Sequence, residues 1–326
     1  MSETILSAVI PVYNEEANLA ELVARLRDVG ETLRARGCLL EIVLVDDHST
    51  DATAQVLKTL LPRNPPMKYL RLSRNCGSHT ALAAGLHACS GQAAVLMAAD
   101  LQDPPELIPQ LVEHWQQGHD VVWAGREGRE GESRATVLLA GAYYWLMRRL
   151  ALPQMPEKGA DVVLLDRKVI DAYNSISEKH TSLLAMILWM GFRQTSISYV
   201  KRARQAGQSK WTLAKKVKLL VDSVVSFSYV PIRVMTGLGF GMALLGFLYA
   251  IVVVVGRLFG WVVAGTGFAA LMTVLLVGQG LILSMLGVLG EYLWRTFDEA
   301  RGRPRYLIEE ELGSGDPESS VTRKQQ

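Results

Sequence analysis

Two stretches of this chain carry no charged side chain, and they limit what it can fold into more than any other feature. Residues 234–256 and 267–290 are uncharged runs of 23 and 24 residues, rich in glycine and separated by a short loop. At about 1.5 Å of rise per residue, a helix of either length crosses a hydrocarbon core of about 30 Å. A pair of buried core helices is the alternative, but two such runs in close succession favour membrane spans. Basic residues flank the pair on its outer sides, among them Lys215, Lys216, Lys218 and Arg233 before it and Arg295, Arg301, Arg303 and Arg305 after it. The connecting loop holds only Arg257. The positive-inside rule therefore predicts cytoplasmic flanks and an outside loop.

Ahead of these runs, apolar stretches of strand length alternate with helical patterns. Residues 6–12, 40–45, 67–72, 93–99 and 120–124 read as strands buried on both faces. Leu19, Leu22, Val23, Leu26, Val29 and Leu33 recur at helical spacing, and Gly37 ends that helix. Ser49, Thr50 or Asp51 can cap a helix that runs toward Leu61. Two more helices are expected at 80–88 and 106–117, the first built from small residues that let it pack closely on a sheet. Strand, helix, strand with short loops specifies an α/β fold with a mostly parallel, doubly wound, Rossmann-like sheet.

Open sheets of this kind bind ligands at the carboxyl ends of their strands. The loops there carry Tyr13, Glu15, Asp46, Asp47, Arg74, Asn75, Asp100, Gln102 and Arg126. Each alone is explained by capping and turns. Their accumulation on one rim favours a phosphate or nucleotide ligand. The sharpest case is Ala93-Ala-Val-Leu-Met-Ala-Ala-Asp100-Leu-Gln-Asp-Pro-Pro105, where a buried strand ends abruptly in polar groups. Asp100, Gln102 and Asp103 are hard oxygen donors that suit Mg²⁺ or Mn²⁺ carried by a phosphate ligand. Neither a G-x-G-x-x-G nor a G-x-x-x-x-G-K-[ST] motif is present, so neither a typical dinucleotide fold nor a P-loop NTPase is indicated.

The formal charge of +2 gives no reason to expect a nucleic-acid partner. Its distribution says more: residues 201–218 hold seven lysines and arginines and no acid. Residues 211–229 read as an amphipathic helix, with Leu213, Val217, Leu220 and Val224 on one face and Lys215, Lys218 and Asp222 on the other. Such a helix suits the anionic cytoplasmic leaflet. Cys38, Cys76 and Cys89 lack metal-ligand spacing and read as reduced, buried thiols of a cytosolic domain. No cleavable signal peptide is expected at the start. The polar residues after Tyr306 predict a disordered tail.

Several of these segments carry a resemblance. Val9-Ile-Pro-Val-Tyr-Asn-Glu-Glu16, Val45-Asp-Asp-His-Ser-Thr-Asp51, Ser73-Arg-Asn-Cys-Gly77 and Ala99-Asp-Leu-Gln-Asp-Pro-Pro105, in this order, resemble inverting family-2 glycosyltransferases of the GT-A fold. The chain is more closely similar to the polyprenyl-phosphate glycosyltransferases. These include dolichol-phosphate mannose synthase, the bactoprenol glucosyltransferases and the undecaprenyl-phosphate aminoarabinose transferase. The resemblance spans nearly the whole chain, and its most specific part is Gly287-Val-Leu-Gly-Glu-Tyr-Leu-Trp-Arg295 followed by Arg301-Gly-Arg-Pro-Arg-Tyr306.

What the resemblance implies is inverting transfer of a sugar from a nucleotide sugar, a UDP-sugar first among them, to a membrane polyprenyl phosphate such as undecaprenyl phosphate. The product would serve cell-envelope glycan, lipid A or O-antigen modification. Carried over to this sequence, Pro11, Tyr13, Glu15 and Asp47, with Asp46 beside them, would hold the base and ribose. Asp100 and Gln102 would hold Mg²⁺ or Mn²⁺ on the diphosphate. Arg126 and Arg134 would meet the acceptor phosphate. Arg204, with Ser209 and Lys210 in the same segment, would complete a lid. Asp161 matches an acidic position of the family and is a candidate for positioning or base work, or simply a strand-start cap. The implied layout is a cytosolic GT-A domain at 1–208, a juxtamembrane amphipathic helix at 209–232, two spans within 233–292 and a cytosolic segment and tail at 293–326. The implied setting is the bacterial inner membrane, with both termini cytoplasmic and a homo-oligomer, a tetramer being known in the bacterial branch.

Two positions depart from the family pattern. Ala98 stands where the family usually has the first acid of Asp-x-Asp-Leu-Gln, so metal or ribose contacts are weaker or Asp103 compensates. Val163 stands where an arginine often follows the acid, which bears on sugar preference. Two other functions fit parts of the chain. A processive polysaccharide synthase is disfavoured by the absence of Gln-x-x-Arg-Trp and by having two spans. A non-catalytic scaffold would bind donor without forming lipid-linked sugar.

Overall fold

The strands β1 (Thr4–Val12), β2 (Cys38–Asp46), β3 (Met67–Leu72) and β4 (Ala93–Leu96) are parallel neighbours, because each is followed by a helix that carries the chain back across the sheet. The computed structural model describes residues 4–63, 66–129, 141, 148–149, 160–179, 181–201, 228, 230–259 and 267–313. Three further strands extend the sheet. They are β5 (Val121–Arg129), β6 (Ala160–Asp166) and β7 (Gln194–Lys201). An eighth, β8 (Ile308–Gly313), comes from the far end of the chain, and the order is β7-β5-β6-β4-β1-β2-β3-β8. β6 runs antiparallel to both β4 and β5, and β8 antiparallel to β3. The mostly parallel α/β sheet expected from the sequence is thus the sheet observed.

Both faces of the sheet are covered, which is why its strands are apolar at nearly every position. Leu6, Ala8, Ile10 and Val12 of β1 face a core that includes Leu22 and Leu26 of α1 (Leu19–Arg34), Leu57 of α2 (Thr53–Leu60) and Leu111 of α4 (Ile108–Gln116). The other face takes α3 (Ser78–Ala88), which packs on β1 and β2. Gly85 sets that approach: a Cβ there would lie 2.3 Å from Val9 Cγ1 and 3.1 Å from Val45 Cγ2. The close packing expected of this small-residue helix is observed. Two short helices, α5 (Arg167–Asn174) and α6 (Leu183–Trp189), pack beside α3, with α5 also on β4 and β6.

The chain forms two compact units, residues 1–223 with 304–326, and residues 224–303. The polar segment after Tyr306, expected as a disordered tail, instead supplies β8. A six-residue strand with one leucine and one isoleucine has little signal of its own. It is ordered by β3, whose outer edge would otherwise leave a row of N–H and C=O groups unpaired. Residues 314–326 lie outside the described residues.

In the second unit, α7 (Val230–Leu258) and α8 (Phe268–Ala300) pack against each other. Two segments, Ile232–Gly256 and Val274–Ala300, are long and apolar enough to cross a membrane. Phe240 and Leu245 are 74% and 67% exposed, so these helices do not form a buried soluble core. Small residues let them approach: Met285 Sδ lies 3.6 Å from the position of a Cβ on Gly239. The helix expected at 211–229 lies outside the described residues except for Ser228.

Candidate active site

β1 and β4 part before β1 itself ends. Their ladder ends at Val9 and Leu96, closed by Met97 N–H donating to Val9 O at 3.3 Å, while β1 and β2 stay paired as far as Val12 and Asp46. The chain order also reverses here, with β2 and β3 on one side of β1 and β4 and β6 on the other. This is the switch point at which open α/β sheets place a crevice. Pro11 sits on the edge of it. Backbone groups alternate sides along a strand. Because Val9 bonds toward β4 and Val12 toward β2, the missing N–H of Pro11 falls where β4 has already ended. A proline is therefore accommodated in a central strand without a lost ladder bond.

Among the described residues, three non-glycine residues adopt left-handed backbone, and each lies in the turn after a strand of this rim: Asn14 (φ 53°), His48 (φ 61°) and Leu101 (φ 58°). Such turns cost on the order of 1–3 kcal/mol each and persist only where surrounding contacts impose them. For the loops after β1 and β2 those contacts are specific. Asn14 N–H donates to Ser49 Oγ at 3.0 Å, and Thr50 N–H to Asn14 Oδ1 at 2.8 Å. Glu15 N–H donates to Thr53 Oγ1 at 3.0 Å, and Ala52 N–H to Glu16 Oε2 at 2.8 Å. The loops after β1 and β2 are thus sewn together.

Asp46 and Asp47 hold this arrangement from within. Asp46 is fully buried and accepts from Ser49 N–H at 2.7 Å, Arg71 Nη1 at 2.5 Å and Tyr69 Oη at 3.3 Å. Asp47 accepts from the N–H groups of Cys76 and Gly77 at 2.6 and 2.8 Å, which fixes the loop after β3. Burial pushes the Asp47 carboxyl above its usual value, the two N–H donors offset part of this, and the negative charge of Asp46 adds to it. Glu15 is half-buried and accepts from Asn18 Nδ2 at 2.7 Å, while Tyr13 lies half-buried beside it.

On the far side of the crevice is the Asp100 turn. Leu101 is buried beneath it, and Asp100 Oδ1 accepts the Gln102 N–H at 3.2 Å. Asp103 does not join the rim. It is fully buried and accepts a hydrogen bond from Tyr199 on β7. The compensation for Ala98 expected of Asp103 is therefore not what this carboxylate does, because its place is the core. Among the described residues no group of three or more His, Cys, Asp or Glu is placed to hold a metal ion. The carboxylate of Asp100 and the amide of Gln102 are two hard oxygen donors in one turn. They fit a hard divalent ion that takes its other oxygens from a diphosphate.

The antiparallel β6 brings its first residues to the same rim, since Leu96 pairs with Val163 and Gly125 with Ala160. Asp161 thereby stands just past the carboxyl end of β4, at the irregular step opposite Ala124 and Gly125 of β5. Val163 is a fully buried residue of β6. Arg126 is in β5, where its backbone pairs with Tyr199; its side chain is outside the described residues, as are Arg134, Arg204, Ser209 and Lys210. The three cysteines are free thiols, and Cys76 is half-buried rather than buried. Sequence reasoning passed over Arg71 and His48. The available signal was a lone arginine on the Tyr69 side of a strand that ends beside two aspartates.

Residues 7–181 match the protein family described as glycosyl transferase family 2. The chain belongs to that family. This family-2 chain is 38% identical to an uncharacterized glycosyltransferase of Synechocystis sp., over 94% of its own length and 96% of the relative's. It is 34% identical to the bactoprenol glucosyl transferase of Shigella phage SfV, over 94% and 98% of the two chains. It is 38% identical to the undecaprenyl-phosphate 4-deoxy-4-formamido-L-arabinose transferase of Pseudomonas paraeruginosa, over 94% and 89%. The protein is a glycosyltransferase.

Proposed function

We propose that this glycosyltransferase moves a sugar, with inversion at the anomeric carbon, from a nucleotide sugar to the phosphate of a membrane polyprenyl phosphate. A UDP-sugar and undecaprenyl phosphate are the substrates assigned. The observation that carries this reading is the extent of the similarity. Relatives named for bactoprenol and for undecaprenyl phosphate align over 94% of this chain, the two apolar helices included. The rim at the β1–β4 crevice supplies the matching chemistry.

In the reading offered here, the base and ribose lie against Pro11, Tyr13 and Glu15, on the loops held by Asp46 and Asp47. Asp100 and Gln102 would hold Mg²⁺ or Mn²⁺ together with the diphosphate, and the ion would supply positive charge against the charge growing on the leaving group. The acceptor is a phosphate monoester whose second pKa is near 6, so it is largely a dianion at neutral pH and needs little help from a base. Its oxygen forms a bond to the anomeric carbon as the bond from that carbon to the diphosphate breaks, and the electron pair leaves with the nucleoside diphosphate. Arg126, Arg134 and Arg204 suit the acceptor phosphate because guanidinium groups bind it bidentately. Ser209 and Lys210 close the site beside Arg204, and Asp161 orients the reacting groups. The setting is the bacterial inner membrane, with the site on the cytoplasmic side.

The test is a panel of radiolabelled nucleotide sugars, incubated with undecaprenyl phosphate and Mg²⁺ or Mn²⁺ and read by lipid extraction. Label should enter the lipid phase from one donor, and Asp100→Asn should abolish metal-dependent transfer, a loss of at least about 10²-fold. Unchanged turnover in that variant removes the metal assignment. Donor binding with no lipid product across the whole panel favours the scaffold.

A further inference from the structure

The strand that the chain adds after its second apolar helix reaches the donor loop by one side chain. β8 pairs with β3 in register from Lys68–Gly313 to Arg71–Glu310, then slips, so that Leu72 faces Ile308. Glu309 is the extra residue of this bulge. Bulges at sheet edges re-aim a side chain, and here Glu309 turns toward the rim. Its Oε2 lies 3.1 Å from Arg71 Nε and 3.4 Å from His48 Nδ1. The same ring nitrogen lies 3.1 Å from Leu72 O, and since both partners are acceptors, Nδ1 carries the hydrogen.

Arg71 is where this contact gains consequence. Its Nη1 is 2.5 Å from the buried carboxylate of Asp46, and its Nη2 donates to Ser49 O at 3.1 Å. The guanidinium therefore holds both ends of the Asp46–Ser49 turn, and Glu309 fixes its remaining edge. A planar group gripped on three sides has one orientation. The docking extends beyond Glu309. Ser73 N–H donates to Leu307 O at 2.9 Å, the Tyr306 ring packs edge-on to His87, and Arg305 Nη1 donates to Tyr173 Oη at 3.0 Å.

We propose that Arg71 and Glu309 are positioning residues for the nucleotide end of the donor site, and that β8 is a working part of that site. The proposal rests on the reading that the loops after β1 and β2 hold the donor's base and ribose. Loss of Glu309 frees Arg71 and loosens the Asp46–Ser49 turn. The turn meets the same part of the donor before and during reaction, so the effect falls on donor binding and not on the chemical step. Glu310 supplies the control: it belongs to the same strand, but its ion-pair partner is Lys58 of α2 at 2.8 Å rather than Arg71 or His48.

The experiment uses the full chain in detergent. Binding of UDP, GDP and CDP with Mn²⁺ is measured by calorimetry, and donor KM, acceptor KM and kcat are measured with the active donor, for wild type, E309A and E310A. For E309A we expect nucleotide binding about 3- to 5-fold weaker and donor KM raised equally, with acceptor KM, kcat and Tm within error of wild type. E310A should match wild type in all of them. Equal nucleotide affinity in E309A and wild type overturns the proposal alone. So does an equal loss in E310A, which makes β8 a generic stabiliser. A wild type that binds none of the three nucleotides overturns the donor reading along with it.

Discussion

At the residue scale, the rim is built from backbone that its own side chains must restrain. Asn14, His48 and Leu101 lie in the turns after β1, β2 and β4, and the loops after β1 and β2 keep each other in place through their polar residues. The strands beneath must hold still for this to work. Gly85 permits that by letting α3 lie directly on Val9 and Val45, two residues before the crevice on β1 and one before Asp46 on β2. Gly85→Ala should therefore cost about 1–3 kcal/mol by overpacking, seen as a Tm several degrees lower in thermal unfolding of the purified protein, with donor KM raised because the displaced residues lead into the rim. A Tm at wild-type level shows that α3 can retreat. The sequence made the close helix visible as a run of small residues, yet it did not single out Gly85. Which small residue touches the sheet depends on the rotation of the helix, and a run of alanines and glycines carries no periodic signal for that. Asp100 and Gln102 were legible because an apolar strand ends on them. Asp103 was misread for the same reason. Proximity in sequence put it in the donor set, while its partner, Tyr199, lies on β7, 96 residues further along the chain.

At the element scale, a second polar cluster ties the strands together away from the rim. Glu41 interrupts the apolar run of β2 and is 4% exposed. It accepts from Ser7 Oγ of β1 at 2.5 Å, Lys68 Nζ of β3 at 2.8 Å, and the N–H and Oγ of Ser90 at 2.9 and 2.8 Å. Burial acts to raise its carboxyl pKa, but the hydrogen bonds from Lys68, Ser7 and Ser90 outweigh it and hold the group below its usual value. A carboxylate depressed on folding stabilises the protein above its unfolded pKa, and this contribution is lost as pH falls through the folded value. Glu41→Gln should thus lower stability at neutral pH by about 2 kcal/mol, Lys68 being a third exposed, and should flatten the fall in Tm through the carboxylate range. Parallel pH series of Tm for the two proteins decide it; identical slopes would show that Glu41 does not titrate in that window. The five strands read from the sequence are present because each is a buried apolar run. β8 escaped because Ile308-Glu-Glu-Glu-Leu-Gly313 has no strand period of its own and becomes a strand only against the open edge of β3, an edge 236 or more residues away in the chain by the Leu72–Ile308 pair.

At the scale of the whole molecule, the return of the chain to β8 bears on how it sits in a membrane. Residues before the two apolar helices and residues after them belong to one compact unit. If each helix crosses once, the flanks of the pair must lie on the same side, and an even number of crossings satisfies this. Charge then chooses the side. Arg233 precedes the uncharged run 234–256, and Arg295, Arg301, Arg303 and Arg305 follow the uncharged run 267–290, against Arg257 alone between the two runs. The positive-inside rule then predicts that the shared unit lies in the cytoplasm and the short loop outside. The prediction is read with paired reporter fusions in a bacterial host. A reporter that fluoresces only in the cytoplasm should be active when fused after Gln326, and a phosphatase that folds only outside should be active when inserted between the two spans. Phosphatase activity at the C-terminus would invert the assignment. Activity of the fluorescent reporter at both positions would mean that the helices lie on the membrane without crossing it. The same fusions carrying Arg301→Glu, Arg303→Glu and Arg305→Glu test the charge argument itself. If charge sets the side, these changes should lower C-terminal fluorescence; if the docking of β8 on β3 sets it, the folded unit should keep the C-terminus where it is.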